Sequence, residues 1–193
     1  MPGSTYRVLR SPRDDSEYLL LDTETTDPVY AIVTGYENEL ARIVEAIEPG
    51  NIIRATFDWS EERPRFSSVK RVTETVFAFA SDATNIFEAA IECWHETESA
   101  GSAMNSRLTR STDGEVNGVL YVFAQQTGER DLFSEFHDGI KPIGPLLDPI
   151  DGSDPPYEVF IIEPREEPFV LIYIVLEPNG MLAQTVRDTY DFG

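Results

Sequence analysis

A chain of 193 residues with 41% hydrophobic and 11% aromatic residues holds enough apolar material for one sizeable domain or two small ones. It is too apolar for a disordered polymer. Its 35 acidic against 15 basic residues leave a formal net charge of −20, which opposes binding to a nucleic-acid backbone in dilute buffer. A single cysteine, Cys93, excludes an intramolecular disulfide, and the longest apolar stretch, 169–176, is far shorter than the ~20 residues a membrane helix needs.

From the start of the chain, Met1-Pro2-Gly3-Ser4 carries no basic stretch leading into an apolar run, so no secretory leader is expected. Residues 5–10 alternate as a strand, with Tyr6 and Val8 on one face, and 11–16 read as a turn. Residues 18–21 and 29–34 are two further strands. Leu40, Ile43, Val44 and Ile47 then recur at helical spacing until Pro49-Gly50 stops them. Residues 51–59 alternate again, with Ile53, Ala55, Phe57 and Trp59 on one side, and 65–80 read as one long or bent strand. Three strands, a helix and two strands is the element order of an OB-fold barrel. Tyr6, Phe57 and Trp59 are expected to fill that barrel rather than to stack bases.

The remainder opens with a helix that Ser81-Asp82 can cap, and Ile86, Phe87, Ala90, Ile91 and Trp94 form its buried stripe. A polar loop (102–117) leads to a strand at 119–124, and 129–137 reads as a helix. Residues 139–156, rich in Gly and Pro, are mostly loop. Strands 157–162 and 169–176 form an antiparallel hairpin, and 181–190 is a final helix. The fold class expected is therefore α+β. An N-terminal small OB-like β-barrel (1–80, βββαββ order) precedes an α+β domain (81–193) with a mostly antiparallel sheet.

Among the basic residues only Lys70 and Lys141 are lysines; the others are arginines. Acid gain with lysine loss is the surface of a protein bathed in molar salt, where the Debye length is ~3 Å and neighbouring carboxylates barely repel. A halophile's cytoplasm is the expected setting. A nucleic-acid mimic would need acids spaced along one face, and no such spacing occurs.

In a chain so short of positive charge, the stretch 101–118 stands out. Asn105, Arg107, Arg110 and Asn117, with His95 at the edge of the preceding helix, are the candidate ligand-binding residues. Guanidinium forks among uncharged donors suit a phosphate or carboxylate. The plainer alternative is a solvated loop whose arginines bridge to helix carboxylates such as Glu92 or Glu96. Cys93 and His95 are two helix positions apart and do not form a nucleophile–base pair with each other, so Cys93 is read as a buried filler. Asp148, Asp151 and Asp154 lack the alternating ligands and closing glutamate of a calcium loop. No metal or cofactor is expected, and no nucleotide, hydrolase or zinc-protease motif is present.

The runs 104–107 (MNSR), 112–123 (TDGEVNGVLYVF), 155–160 (PPYEVF) and 185–190 (TVRDTY) together resemble a haloarchaeal protein family of unknown function. The resemblance spans the whole chain. It implies a salt-adapted cytoplasmic protein and carries over no catalytic residue. Two functions stay open: a non-catalytic binding or regulatory protein, or an enzyme acting on a small anionic substrate at 101–118 with His95 or His137 as acid/base. A small anion or a protein is the partner expected, with no membrane.

Overall fold

The computed structural model describes residues 3–125, 131–147, 150 and 153–192. Strands β1 (Ser4–Arg10), β2 (Glu17–Asp22) and β3 (Pro28–Ile32) are followed by helix α1 (Asn38–Glu45), β4 (Ile52–Asp58) and β5 (Arg65–Thr73). These five strands close into a barrel in the order β1-β2-β3-β5-β4, with β1 pairing both β2 and β4. Inward-facing Val8, Leu20, Ala31, Ile53, Ala55 and Phe66 fill it, with Val44 and Ile47 from the α1 end buried among them.

A second sheet runs β6-β9-β10-β8-β7, built from β6 (Val76–Ala83), β7 (Met104–Arg110), β8 (Val116–Ala124), β9 (Glu158–Pro164) and β10 (Phe169–Val175). β6 runs parallel to β9 and the other neighbours are antiparallel. The run Phe169–Val175 is buried at every position because β10 is central and covered on both faces. Val170, Ile172 and Ile174 face the barrel, together with α3 (Leu132–His137) and the segment after it. Leu171, Tyr173 and Val175 face α2 (Glu88–Ser99) and α4 (Met181–Thr189). Arg187 of α4 grips the carboxylate of Glu158 on β9 through Nε and Nη2, both at 2.7 Å, and so fixes α4 on the sheet.

The barrel and the second sheet share a core. Leu9 and Leu19, outward-facing on the barrel, are buried in the same cluster as Phe77, Val159 and Ile172. This explains the consecutive apolar pairs Val8-Leu9 and Leu19-Leu20: one side chain fills the barrel and its neighbour packs against the sheet. A buried polar chain stitches the same junction. Asn51 Oδ1 accepts from the Glu48 amide and its Nδ2 donates to the Thr75 carbonyl. Thr75 Oγ1 in turn accepts from the Tyr157 amide.

Several sequence readings change here. The single strand read over 65–80 is two strands in different sheets, β5 and β6, because Thr75 turns the chain into the junction. Ser81 and Asp82 do not cap α2; they belong to β6, where Asp82 pairs with Arg165 at 2.8 Å. The helix begins at Glu88; Ala90, Cys93 and Thr97 are its buried residues, while Ile86, Phe87, Ile91 and Trp94 of the expected stripe pack partly buried against the same core. Trp59 does not fill the barrel: it lies past the end of β4 and is 63% exposed, while Tyr6 is inside. The helix read from 129 is described from Leu132; 126–130 lie outside the described residues, as do Asp148 and Asp151. Among the described residues, no helix is long and apolar enough to cross a membrane.

Candidate functional site

The stretch read as an arginine loop is a hairpin made of β7 and β8. β7 presents alternate residues to α2 and to the opposite face, a consequence of the strand's period of two. Arg107 points to α2, where Nη1 donates to Glu92 and Nη2 to Glu96, each at 2.9 Å. Its bond to Glu92, reinforced by the one to Glu96, pushes the guanidinium's pKa further up. Glu88, Glu92 and Glu96 are spaced one turn apart on α2 and exposed, so Arg107 neutralises a row of like charges that would otherwise oppose the helix.

The other predicted residues are placed around this pair without converging on it. Arg110 Nη1 donates to the Gly114 carbonyl across its own turn. Asn117 Oδ1 accepts from Thr109 Oγ1, which accepts from the Tyr173 hydroxyl, at 2.8 Å each. Asn105 Oδ1 accepts from the Ser106 amide. His95 is an exposed ring leaning on Trp94, 4.0 Å from Glu98. His137 packs edge-on against Phe79 and contacts Asp138 at 2.9 Å. It borders a cavity with Arg10 and Phe79, neither Arg107 nor Arg110 being among that cavity's lining residues. Cys93 is fully buried, and burial pushes its thiol pKa up, away from nucleophilic use. Among the described residues no group of His, Cys, Asp or Glu is arranged to hold a metal ion.

A site that sequence reasoning missed lies at the junction. A cavity of about 300 Å³ opens between β1 and β2 of the barrel, Phe77 of β6, and the turn 139–145. Leu9, Leu21, Ile52, Phe136 and Ile143 give it apolar walls. Gly139 lets the turn approach the barrel: its φ is +77°, and a Cβ there would stand 2.7 Å from Leu9 Cδ1.

Two of its charged residues are cations. Arg7 donates to the Gly50 carbonyl at 2.6 Å and lies over Phe77. Lys141 is half-buried, with Nζ held 5.2 Å and 5.6 Å from the ring centres of Phe123 and Phe136. No carboxylate among the described residues forms an ion pair with Lys141. Among the described residues the one lining acid is Asp22, and it is committed elsewhere. Its Oδ1 accepts from the Glu24 and Thr25 amides, and those bonds, Thr25's first, hold its pKa below the usual carboxylate range. The clue in the sequence was Gly139-Ile140-Lys141-Pro142-Ile143-Gly144-Pro145, where one of only two lysines sits between turn-fixing residues.

The molecule is thus an α+β protein in which a closed five-stranded barrel shares a core with a second five-stranded sheet. It belongs to a family of unknown function, DUF6663, whose profile matches residues 2–193. No curated protein and no solved structure matches the chain.

Proposed function

We propose that the protein is a non-catalytic, cytoplasmic binding protein whose ligand is a small carboxylate with an apolar body, held in the junction cavity. The barrel is read as OB-like from its element order of three strands, a helix and two strands, and the second sheet supplies the other wall. The observation that carries the reading is Lys141: an ammonium group among aromatic rings, at an apolar cavity, in a chain where acids outnumber bases. Cation–π contact holds the charge in place while leaving its hydrogen-bond donors for an incoming oxyanion. The apolar walls would take the ligand's body, and the cavity is at the small end of ligand pockets.

Calorimetric titration with straight-chain carboxylates in 2 M KCl tests this. Each added methylene buried is worth ~0.8 kcal/mol, so affinity should rise about fourfold per carbon until the cavity is full. Lys141→Met should weaken octanoate about tenfold to a hundredfold, the value of a hydrogen bond to a charged group, with the melting temperature little changed. Octylammonium should not compete. Equal octanoate affinity in Lys141→Met, or no chain-length dependence, contradicts the reading.

A further inference from the structure

We propose that the outer edge of β7 pairs with β7 of a second copy of this chain, joining the two second sheets across a two-fold axis centred on Ser106. β7 ends the strand order of its sheet. Ala103 accepts from the Ala124 amide, and with Met104 opposite Phe123 the antiparallel alternation turns the backbone groups of Met104, Ser106 and Leu108 outward. The side chains of Met104 and Leu108 are 46% and 52% exposed.

Edge strands are commonly guarded by charge, proline or a covering element. Among the described residues no proline, acid or covering element guards the middle of β7. Arg107 is drawn onto α2 by Glu92 and Glu96, and the bulge and Arg110 come only at the strand's end. No Asp or Glu occurs between Glu98 and Asp113. Molar salt screens repulsion between the surfaces, but a carboxylate shut into a dry contact still loses its water, so in a chain with a net charge of −20 an acid-free edge is where two copies can meet.

The sequence of the strand is complementary to itself. With Ser106 opposite Ser106 of the second copy, Met104 lies opposite Leu108 and Asn105 opposite Arg107. The apolar pairs share one face, and the arginine meets an uncharged amide. This register forms about six backbone hydrogen bonds. Asn105 Oδ1, which now accepts from the Ser106 amide at 2.9 Å, gives up that contact and becomes free for the opposing guanidinium. Moving the axis to Arg107 would set two arginines face to face, and that register is rejected.

Sedimentation equilibrium in 2 M KCl with the full chain is the test. The wild type should sediment at twice the 21.7 kDa chain mass at tens of micromolar. Ser106→Pro removes only an outward amide, so the ladder with β8 is kept, and this variant should be monomeric with an unchanged circular-dichroism spectrum. Leu108→Lys, which leaves the backbone alone, should shift the dissociation constant at least tenfold if Ser106→Pro fails to fold. A wild type that stays monomeric at every concentration overturns the proposal, whichever other protein the edge then meets. So does a dimer that persists in folded Ser106→Pro or Leu108→Lys.

Discussion

Dialysed from ~1 M to ~0.01 M KCl at neutral pH, the protein is expected to lose its tertiary structure. The Debye length grows from ~3 Å to ~30 Å over that range, so carboxylates separated by the width of the molecule begin to repel. Two exposed groups of acids will feel this on the helices: Glu37, Glu39, Glu45 and Glu48 along and beside α1, and Glu88, Glu92, Glu96 and Glu98 on α2. Among the described residues Arg107 neutralises part of the second row, through Glu92 and Glu96. Arg107→Ala should therefore raise the salt concentration at which half the protein unfolds, while changing stability little in 2 M KCl, where the row is screened. Near-ultraviolet circular dichroism followed through the dialysis reads both. An intact spectrum at ~0.01 M salt would show that the acidic surface needs no screening.

Gly50→Ala is expected to be among the most destabilising single substitutions in the chain. Gly50 has φ of +97°, and a Cβ there would lie 2.5 Å from the Phe77 amide nitrogen and 2.8 Å from the Val76 carbonyl carbon. Both obstacles are backbone, so no side-chain rotation relieves them. The methyl group would push apart the Phe77 amide and the Pro49 carbonyl, bonded at 2.8 Å, at the point where barrel and second sheet join. Backbone strain of ~1–3 kcal/mol and a buried bond worth ~1–3 kcal/mol are lost together. Against a total stability of ~5–15 kcal/mol this is a large fraction, and in a chain of this size it lowers the melting temperature by ~10 °C. Asn51→Ala, which orphans the Glu48 amide and the Thr75 carbonyl, should act in the same direction. Melting curves in 2 M KCl decide it, and a Gly50→Ala protein within ~2 °C of wild type would mean the junction yields where it is drawn as tight.

How far the sequence was legible depends on whether a signal was local. Period-two alternation placed β1 and β4, short apolar runs between polar breaks placed β2 and β3, and helical spacing placed α1 and α4, because each signal lies within a few residues. The hairpin of β9 and β10 was legible as two apolar runs joined by a polar, proline-flanked turn, the pattern of strands buried on both faces. The turn at Thr75 was not, since what stops β5 is a hydrogen bond from Asn51, 24 residues away in sequence. β7 was read as loop because Asn105, Ser106, Arg107, Thr109 and Arg110 outnumber its two apolar residues, Met104 and Leu108. One face meets charged residues of α2, and the other carries Met104 and Leu108, both exposed. At the candidate site the contrast is similar. Arg107's engagement by Glu92 and Glu96 was foreseeable from helix spacing and was weighed as the plainer alternative. The cavity was not foreseeable, because its walls come from β1, β2, β6, α3 and the turn 139–145 and meet only in the folded chain.

The central claim is that the junction cavity holds an apolar carboxylate by Lys141, and a crystal grown with 8-bromooctanoate in molar KCl tests it most directly. The bromine's anomalous scattering marks the tail and the electron density marks the head. A bromine peak is expected among the apolar walls around Leu21, Ile52 and Ile143, with a carboxylate oxygen within hydrogen-bonding distance of Lys141 Nζ. A bromine peak elsewhere on the protein with the cavity unfilled, or a carboxylate turned away from Lys141, would contradict it.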